Sequence, residues 1–139
     1  MKRRKTRNKR TKYGSHEVVR DGKKFQSRLE GDRWMFLLQK QNEGVISDLE
    51  MQKTFILIPK QYKDVKKQLK TKVKIVRQVA ERDCRYIADF VYKKGDQIVV
   101  EDTKSDATVK KESYVIKRKL LLYLHGIMIR QVKDAREDV

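Results

Sequence analysis

Hydrophobic and polar positions recur along this chain with two periods, which predict short strands and longer helices. Runs of β-branched and aromatic residues bounded by turn-forming residues predict strands, whereas apolar positions three and four residues apart predict helices. The predicted elements are a hairpin within 13–25, a helix at 28–41, a strand at 53–58, a hairpin at 85–103, a helix at 109–124 and a strand at 127–132. This order predicts an α/β domain with a central mixed β-sheet flanked by helices.

The segment 60–83 is compatible with two structures. Its valines and Leu69 have helical spacing, but the stretch 73–79 is rich enough in β-branched residues for a strand. We expect a short helix at 61–71, followed by an extended stretch.

One charged residue is unusually placed on the first predicted helix. Trp34 and Leu37 belong to its apolar face, and Glu30, four and seven residues before them, points the same way. Glu30 also has capping-box spacing from Ser27. It is therefore either a structural cap or an acid directed into an active site.

Two carboxylates interrupt the second predicted hairpin at places where the neighbouring residues are apolar. Asp89 lies within the run 86–92, and Asp102 ends the second strand. Pairing the strands across the turn at 93–96 brings Asp89 near Asp102. Because a carboxylate in an apolar strand is costly unless it is paired or metal-bound, the two acids indicate a site.

A lysine follows the second acid at strand spacing. Alternation puts Asp102 and Lys104 on one face and puts Glu101 and Thr103 on the other, so Glu101 is left out of the site. Two acids can hold a divalent ion that polarises a phosphate oxygen, and a lysine can orient water or stabilise charge on the phosphate. The alternative is a structural Asp–Lys pair on a solvated hairpin edge, because D-x-K is a frequent pattern.

Few other side chains are suited to metal binding. Cys84 is the only cysteine, and His16 and His125 are the only histidines, far apart in sequence. A Cys-based zinc site and a His-rich site are therefore not expected. Carboxylates would have to hold any metal, which favours a hard ion such as Mg²⁺ or Mn²⁺.

The net charge indicates the kind of partner. The chain has 36 Lys and Arg against 19 Asp and Glu, a formal charge of +17. Such an excess favours a polyanion, and nucleic acid is the first candidate. No membrane association is expected, because no apolar run approaches the ~20 residues that span a bilayer and no lipid anchor is evident.

The strongest charge run is at the N-terminus. Residues 1–12 contain eight basic residues and no acid, so we expect a disordered basic arm ahead of a single domain at 13–139. The arm is either a phosphate-contacting segment, which would use Lys2, Arg3, Arg4 and Lys5, or a solubilising or localising tail.

The two acids and the lysine belong to a recognisable pattern. The segments 86–92 and 99–104 resemble the D…(D/E)xK core of the PD-(D/E)XK nucleases. The surrounding chain is similar to a small phage and prophage family, often described only as a domain of unknown function. This likeness covers about 13–132 and lies at Phe25-x-Ser27-x-x-Glu30, Phe55-x-Leu57-Ile58-Pro59 and Tyr114-x-x-Lys117-Arg118-Lys119-Leu120.

The resemblance implies a restriction-endonuclease-like core and a role for each acid. It implies that Asp89, Asp102 and Glu30 bind Mg²⁺ and that Lys104 is the catalytic lysine. Lys117 either contacts the scissile phosphate or faces solvent. Ala88 replaces the Pro of the family motif, and Asp stands where Glu is commoner at 102; neither departure excludes catalysis.

The expected function is a metal-dependent DNA endonuclease acting on branched recombination intermediates, such as Holliday junctions, in the cytoplasm of a bacterial host. A two-fold junction favours a homodimer, although no residue demonstrates one. The first alternative is a non-catalytic basic nucleic-acid-binding protein that retains the fold. A basic structural or ribosome-associated protein would explain the charge but not the acids inside the hairpin.

Overall fold

The computed structural model describes residues 16–104 and 106–139. The expected basic arm, with Lys2, Arg3, Arg4 and Lys5, lies outside these ranges. The described elements are β1 (Val18–Arg20), β2 (Lys23–Phe25), α1 (Arg28–Asn42), β3 (Ser47–Ile58), β4 (Gln61–Gln68), β5 (Val73–Glu81), β6 (Cys84–Lys94), β7 (Gln97–Asp102), α2 (Asp106–Val109), α3 (Glu112–His125) and β8 (Arg130–Gln131).

A four-stranded mixed sheet forms the centre of the fold, in the order β3-β6-β7-β8. The first three strands are antiparallel, and β8 is parallel to β7. The chain reaches β8 through α2 and α3, because parallel neighbours need a crossover connection. The predicted α/β class with a central mixed sheet and flanking helices is thereby confirmed.

Each face of the sheet is covered by a hydrophobic cluster. On one face, Trp34 and Leu37 of α1 pack with Phe90 and Tyr92 of β6. On the other face, Leu121 and Tyr114 of α3 pack in a cluster with buried residues of β3, β6 and β7. The apolar face predicted for the first helix is therefore correct. Among the described residues, no helix is long and apolar enough to cross a membrane.

The small β1–β2 hairpin packs against α1 at a glycine. A Cβ atom added at Gly31 would lie 2.9 Å from Cγ2 of Val18 and 3.0 Å from Cγ of Arg20. Side-chain atoms at this distance overlap, so the helix and the hairpin can approach this closely only because residue 31 has no side chain.

We expect Gly31→Val to destabilise the domain by about 1–3 kcal/mol, because overpacking outweighs any gain in helix propensity. Urea denaturation measures the change. The control is Met35→Val, which also introduces valine into α1 but on its exposed side. Gly44→Ala is unsuitable as a control, because Gly44 has a φ of 76° and alanine would be strained there. A variant at Gly31 as stable as the protein itself would show that the hairpin does not depend on this contact.

The helix predicted at 61–71 is wrong, because the segment forms the antiparallel hairpin β4–β5. Cross-strand pairs such as Val65 with Val76 join the two strands. The helical spacing of the apolar residues was coincidental: Val65 lies in β4, Leu69 lies between the strands, and Val73 and Val76 project to opposite faces of β5.

The predictions for the C-terminal third were right in kind but wrong in detail. The helix expected at 109–124 corresponds to α3, which begins three residues later and follows the separate short helix α2, and the strand expected at 127–132 is limited to Arg130–Gln131. Helical spacing predicted that Ile116, Leu120, Tyr123 and Leu124 would be buried. Ile116, Tyr123 and Leu124 are instead exposed, and the buried residues of α3 are Tyr114 and Leu121. The helix is apolar on nearly all sides, so periodicity did not define which side faces the sheet.

Candidate active site

Asp89 and Asp102 lie side by side in the central sheet. Asp89 is in the middle of β6, Asp102 is the last residue of β7, and the neighbouring pair Phe90–Glu101 sets the register that places the two acids together. Both side chains are buried, with 7% of Asp89 and 0% of Asp102 exposed. Their predicted proximity is confirmed.

The alternation of β6 is broken at Asp89. Tyr86 and Ala88 belong to the cluster beneath α3, whereas Phe90 belongs to the cluster beneath α1. On the neighbouring strand, Gln52 lies between the residues paired with Ala88 and Phe90 and has a φ of 54°. This irregularity lets both the Tyr86 hydroxyl and the Asp89 carboxylate approach Asp102. The positive φ of Gln52 is costly for a residue other than glycine, and such strained backbone is common beside functional sites.

Neutral donors hold the two carboxylates in place. Oδ2 of Asp89 accepts hydrogen bonds from the backbone N–H and the hydroxyl of Thr103, both at 2.8 Å. The Tyr86 hydroxyl donates to Oδ2 of Asp102 at 2.7 Å. The expectation that Thr103 would face away from the site is wrong, because the end of β7 turns its hydroxyl toward Asp89.

The remaining oxygen of Asp102 faces Lys104. Nζ of Lys104 lies 3.0 Å from Oδ1 of Asp102, as the D-x-K spacing predicted. This buried Oδ1 has no well-aligned hydrogen bond among the described residues, so the charge of Lys104 is its main compensation. A buried oxygen with unused lone pairs is suited to a cation or a water molecule.

Burial and crowding control the charge of this group. Burial raises the pKa of Asp102 above its usual value, and the nearby negative carboxylate of Asp89 raises it further. For Lys104, burial opposes the charged form, but the charges of Asp102 and Asp89 outweigh it and raise its pKa. Asp102 therefore takes up a proton more readily than a solvated aspartate does, whereas the lysine stays charged.

Glu30 belongs to the cap of α1 and also interacts electrostatically with Asp89. Its backbone N–H donates to Oγ of Ser27 at 3.2 Å, and its Oε2 accepts from the Gln26 N–H at 3.3 Å, so it belongs to the cap of α1. Its pKa is raised, first by burial and then by the charge of Asp89. The first helix therefore brings a third acid within electrostatic range of Asp89.

Glu101 lies on the opposite face of the sheet, as alternation predicted. It forms a two-point ion pair with Arg33, at 2.6 and 2.8 Å, and accepts a hydrogen bond from the Tyr92 hydroxyl at 2.6 Å. Both charged side chains are completely buried. The ion pair joins α1, which carries Glu30, to the strand that carries Asp102.

Three residues near the site were not selected from sequence: Tyr86, Tyr114 and Gln131. Gln131 is paired with Asp102 across β7 and β8, and its side chain donates to the Tyr114 hydroxyl at 3.1 Å. Nζ of Lys104 lies 6.0 Å from the centre of the Tyr114 ring. The crossover between parallel strands was the available signal for Gln131, because it puts the end of β8 beside the end of β7.

One basic residue of α3, Arg118, interacts electrostatically with Tyr114 beside this group. The charge of Arg118 lowers the pKa of Tyr114, although burial, the larger effect, raises it. Lys117 is half-buried on the same helix, and its contact with a phosphate stays a prediction.

The donor set of the site suits a hard cation. No three His, Cys, Asp or Glu side chains in the described part of the chain are close enough together to hold a metal ion. Glu30 thus stands farther from the pair than a direct ligand. Mg²⁺, however, keeps several waters and is commonly bound through one or two carboxylates, so the Asp89 and Asp102 pair fits it.

The raised pKa of Asp102 predicts a stability difference in metal-free protein. When folding raises the pKa of a carboxyl group, its protonated form favours the folded state. This contribution is fully present at pH values below the pKa of the unfolded state, and it is lost as the pH rises through the pKa of the folded state. In EDTA, Asp102→Asn should therefore be about 1–2 kcal/mol more stable than the unmodified protein at pH 8, with a smaller difference near pH 5. Urea denaturation at both pH values measures it, and equal differences would contradict the assignment.

The fold and the site together define an α/β domain that buries two aspartates in a mixed sheet and pairs one of them with a partly buried lysine. Residues 10–135 match the sequence profile of DUF1064, a family described as proteins of unknown function. The chain therefore belongs to the DUF1064 family. No curated protein and no solved structure matches it.

Proposed function

We propose that this protein is an Mg²⁺- or Mn²⁺-dependent DNA endonuclease with a restriction-endonuclease-like core of the PD-(D/E)XK type. The observation that carries the proposal is the buried pair of acids, Asp89 and Asp102, with the partly buried Lys104 beside them. Two adjacent carboxylates are expensive to bury, and their mutual repulsion is relieved by a divalent cation. A structural Asp–Lys pair on a hairpin edge would be solvated, whereas Asp102 is inaccessible to solvent.

Each residue of the group has a chemical task in this proposal. Asp89 and Asp102 would hold the metal, which polarises the phosphate and lowers the pKa of bound water. Thr103 and Tyr86 fix the two carboxylates through the hydrogen bonds at 2.8 and 2.7 Å. Lys104 stabilises the negative charge that develops on the phosphate, and the same two acids keep it protonated.

Glu30 acts on water in this proposal rather than as a direct metal ligand. Its raised pKa and its position on α1 suit a group that accepts a hydrogen bond from the attacking water. It also lies close enough to Asp89 for their charges to interact. A cation held by Asp89 would relieve that interaction and favour the ionised form of Glu30.

The proposed substrate is a branched DNA recombination intermediate, such as a Holliday junction, in the cytoplasm of a bacterial host. The charge of +17 supports a polyanionic substrate. A homodimer would present two sites to a two-fold junction. The exposed apolar residues Ile116, Tyr123 and Leu124 of α3 offer surface for such a contact.

The substrate is tested with labelled four-way junction, flap, duplex and single-stranded DNA in Mg²⁺, Mn²⁺ or EDTA. We expect metal-dependent cutting with the junction preferred. Equal cutting of all duplex-containing substrates would retain the nuclease but remove the assignment to recombination. Tight binding without cutting under any metal would favour the second candidate, a non-catalytic nucleic-acid-binding protein.

A further inference from the structure

The hairpin β4–β5, here called the ribbon (residues 61–81), is an insertion between two strands that are already neighbours. β3 and β6 pair directly, with Ile58 opposite Cys84, and the chain between them forms the ribbon. The ribbon is a separate two-stranded sheet. Within the described residues, no other helix or strand packs extensively against it. At about 3.4 Å per residue, its eight-residue first strand is roughly 27 Å long.

The ribbon and its ends are strongly basic. Between residues 60 and 82 there are nine Lys and Arg residues and two acids, a difference of 9 − 2 = +7. Lys67 and Lys74 are direct cross-strand partners. Like charges directly opposite each other destabilise a two-stranded sheet. These lysines therefore do not serve the stability of the ribbon, and a bound polyanion would offset their repulsion.

The two faces of the ribbon differ. The pairs Lys63–Gln78, Val65–Val76 and Lys67–Lys74 share one face, because direct cross-strand partners project to the same side. On the other face, the guanidinium of Arg77 lies 4.0 Å from the centre of the Tyr62 ring. That face also exposes Ile75 and Val79.

The shape of the ribbon matches one nucleic acid better than others. The major groove of B-form DNA is about 12 Å wide and admits a two-stranded ribbon, whereas the major groove of A-form RNA is too narrow for side chains to enter. A second ribbon carries the same positive charge, so charge repulsion opposes pairing between two copies.

The base of the ribbon is near the candidate active site. Cys84 and Asp89 are five residues apart on β6, a separation of roughly 17 Å. This is about half a helical turn of B-form DNA, whose full turn is about 34–36 Å. A duplex that runs along β6 with its scissile phosphate beside Asp89 would therefore reach the base of the ribbon.

We propose that the ribbon is a DNA-binding arm that grips B-form duplex beside the scissile position, with Lys63, Lys67 and Lys74 on the phosphates. The inference deepens the proposed function and depends on it for the position of the DNA. Binding by the ribbon itself does not depend on catalysis.

The test compares two charge-matched double variants in a full-length Asp102→Asn background in EDTA, so that no cleavage occurs. Lys67→Gln with Lys74→Gln removes the cross-strand pair of the ribbon. Lys93→Gln with Lys94→Gln removes two lysines at the opposite end of β6. The affinity for a labelled 30-base-pair DNA duplex is measured between 50 and 200 mM salt. A matched RNA duplex is measured alongside.

For DNA, we expect the ribbon variant to bind about 10-fold more weakly and its salt dependence to be shallower by about 1–2 units of slope. We expect the control variant to change by less than about 2-fold. Equal losses in the two variants would overturn the proposal, since they would show a general charge effect. If the RNA duplex bound as tightly as the DNA duplex and lost the same affinity in the ribbon variant, the assignment to B-form DNA would be overturned.

A second variant replaces residues 60–82 by Asn-Gly, which closes β3 directly onto β6. We expect the affinity for duplex DNA to fall about 100-fold, while the shortened domain stays folded and still unfolds in one transition on heating. A dimer in sedimentation that this deletion converts to monomer, with unchanged DNA affinity, would show that the ribbon joins two copies and would overturn the proposal. If the unmodified protein cleaves DNA but the ribbon variants bind DNA normally, only the DNA-binding role of the ribbon is contradicted. If the ribbon variants lose DNA affinity but the unmodified protein does not cleave DNA, only the nuclease function is contradicted.

Discussion

Asp102→Asn should reduce metal-dependent DNA cleavage by at least about 10²–10³-fold while DNA affinity is retained. The substitution keeps the size of the side chain and an acceptor for the Tyr86 hydroxyl. It removes the charge that would hold a divalent ion and that lies 3.0 Å from Lys104. Loss of one electrostatic contribution to a transition state typically costs this factor, and loss of a metal ligand removes more.

The matched control for this variant is Asp96→Asn, which makes the same chemical change in the exposed turn between β6 and β7. Lys104→Ala should also reduce cleavage strongly. It should leave metal binding closer to normal than Asp102→Asn does. Cleavage unchanged in either active-site variant would remove that residue from the catalytic group, and equal losses in the Asp96 control would indicate a nonspecific effect.

Arg33→Met should lower the free energy of unfolding by about 3–5 kcal/mol, the usual cost of leaving one member of a buried ion pair alone. Glu101 would remain completely buried, with the Tyr92 hydroxyl and with Arg130, 3.6 Å away, as its remaining partners. Arg33 also donates to the backbone carbonyls of Ala135 and Glu137. The C-terminal segment therefore loses an anchor in the same variant.

Urea denaturation measures this loss, and the double variant Arg33→Met with Glu101→Leu is its control. Replacing both charges by apolar groups is often close to neutral, so the double variant should recover much of the stability. A loss below about 1 kcal/mol in Arg33→Met would show that water or another cation compensates Glu101.

The acids of the site were predictable because their placement is local. Asp89 and Asp102 lie on two strands joined by one short turn, so strand alternation and turn position determine that they meet. The Asp102–Lys104 contact follows from the same alternation. The face chosen for Glu101 also followed from it, but its partner Arg33 did not, because the two are 68 residues apart.

The errors occurred where tertiary contacts decide the structure. The ribbon was assigned partly to a helix because Leu69 and the valines fit a helical spacing as well as a strand. The buried side of α3 was misassigned because Ile116 and Leu121 are equally apolar, and only packing on the sheet distinguishes them. The roles of Tyr86 and Gln131 depend on the broken alternation at Asp89 and on the parallel pairing of β8.

The most direct test of the endonuclease proposal is the fate of closed circular DNA incubated with the unmodified protein and with Asp102→Asn. A closed circle has no ends, so only an endonuclease converts it to nicked or linear forms. The proposal predicts conversion by the unmodified protein in Mg²⁺ or Mn²⁺, no conversion in EDTA, and at least about 10²-fold slower conversion by Asp102→Asn. Circles that stay closed in every metal while the protein binds them, or equal conversion by the two proteins, would contradict it.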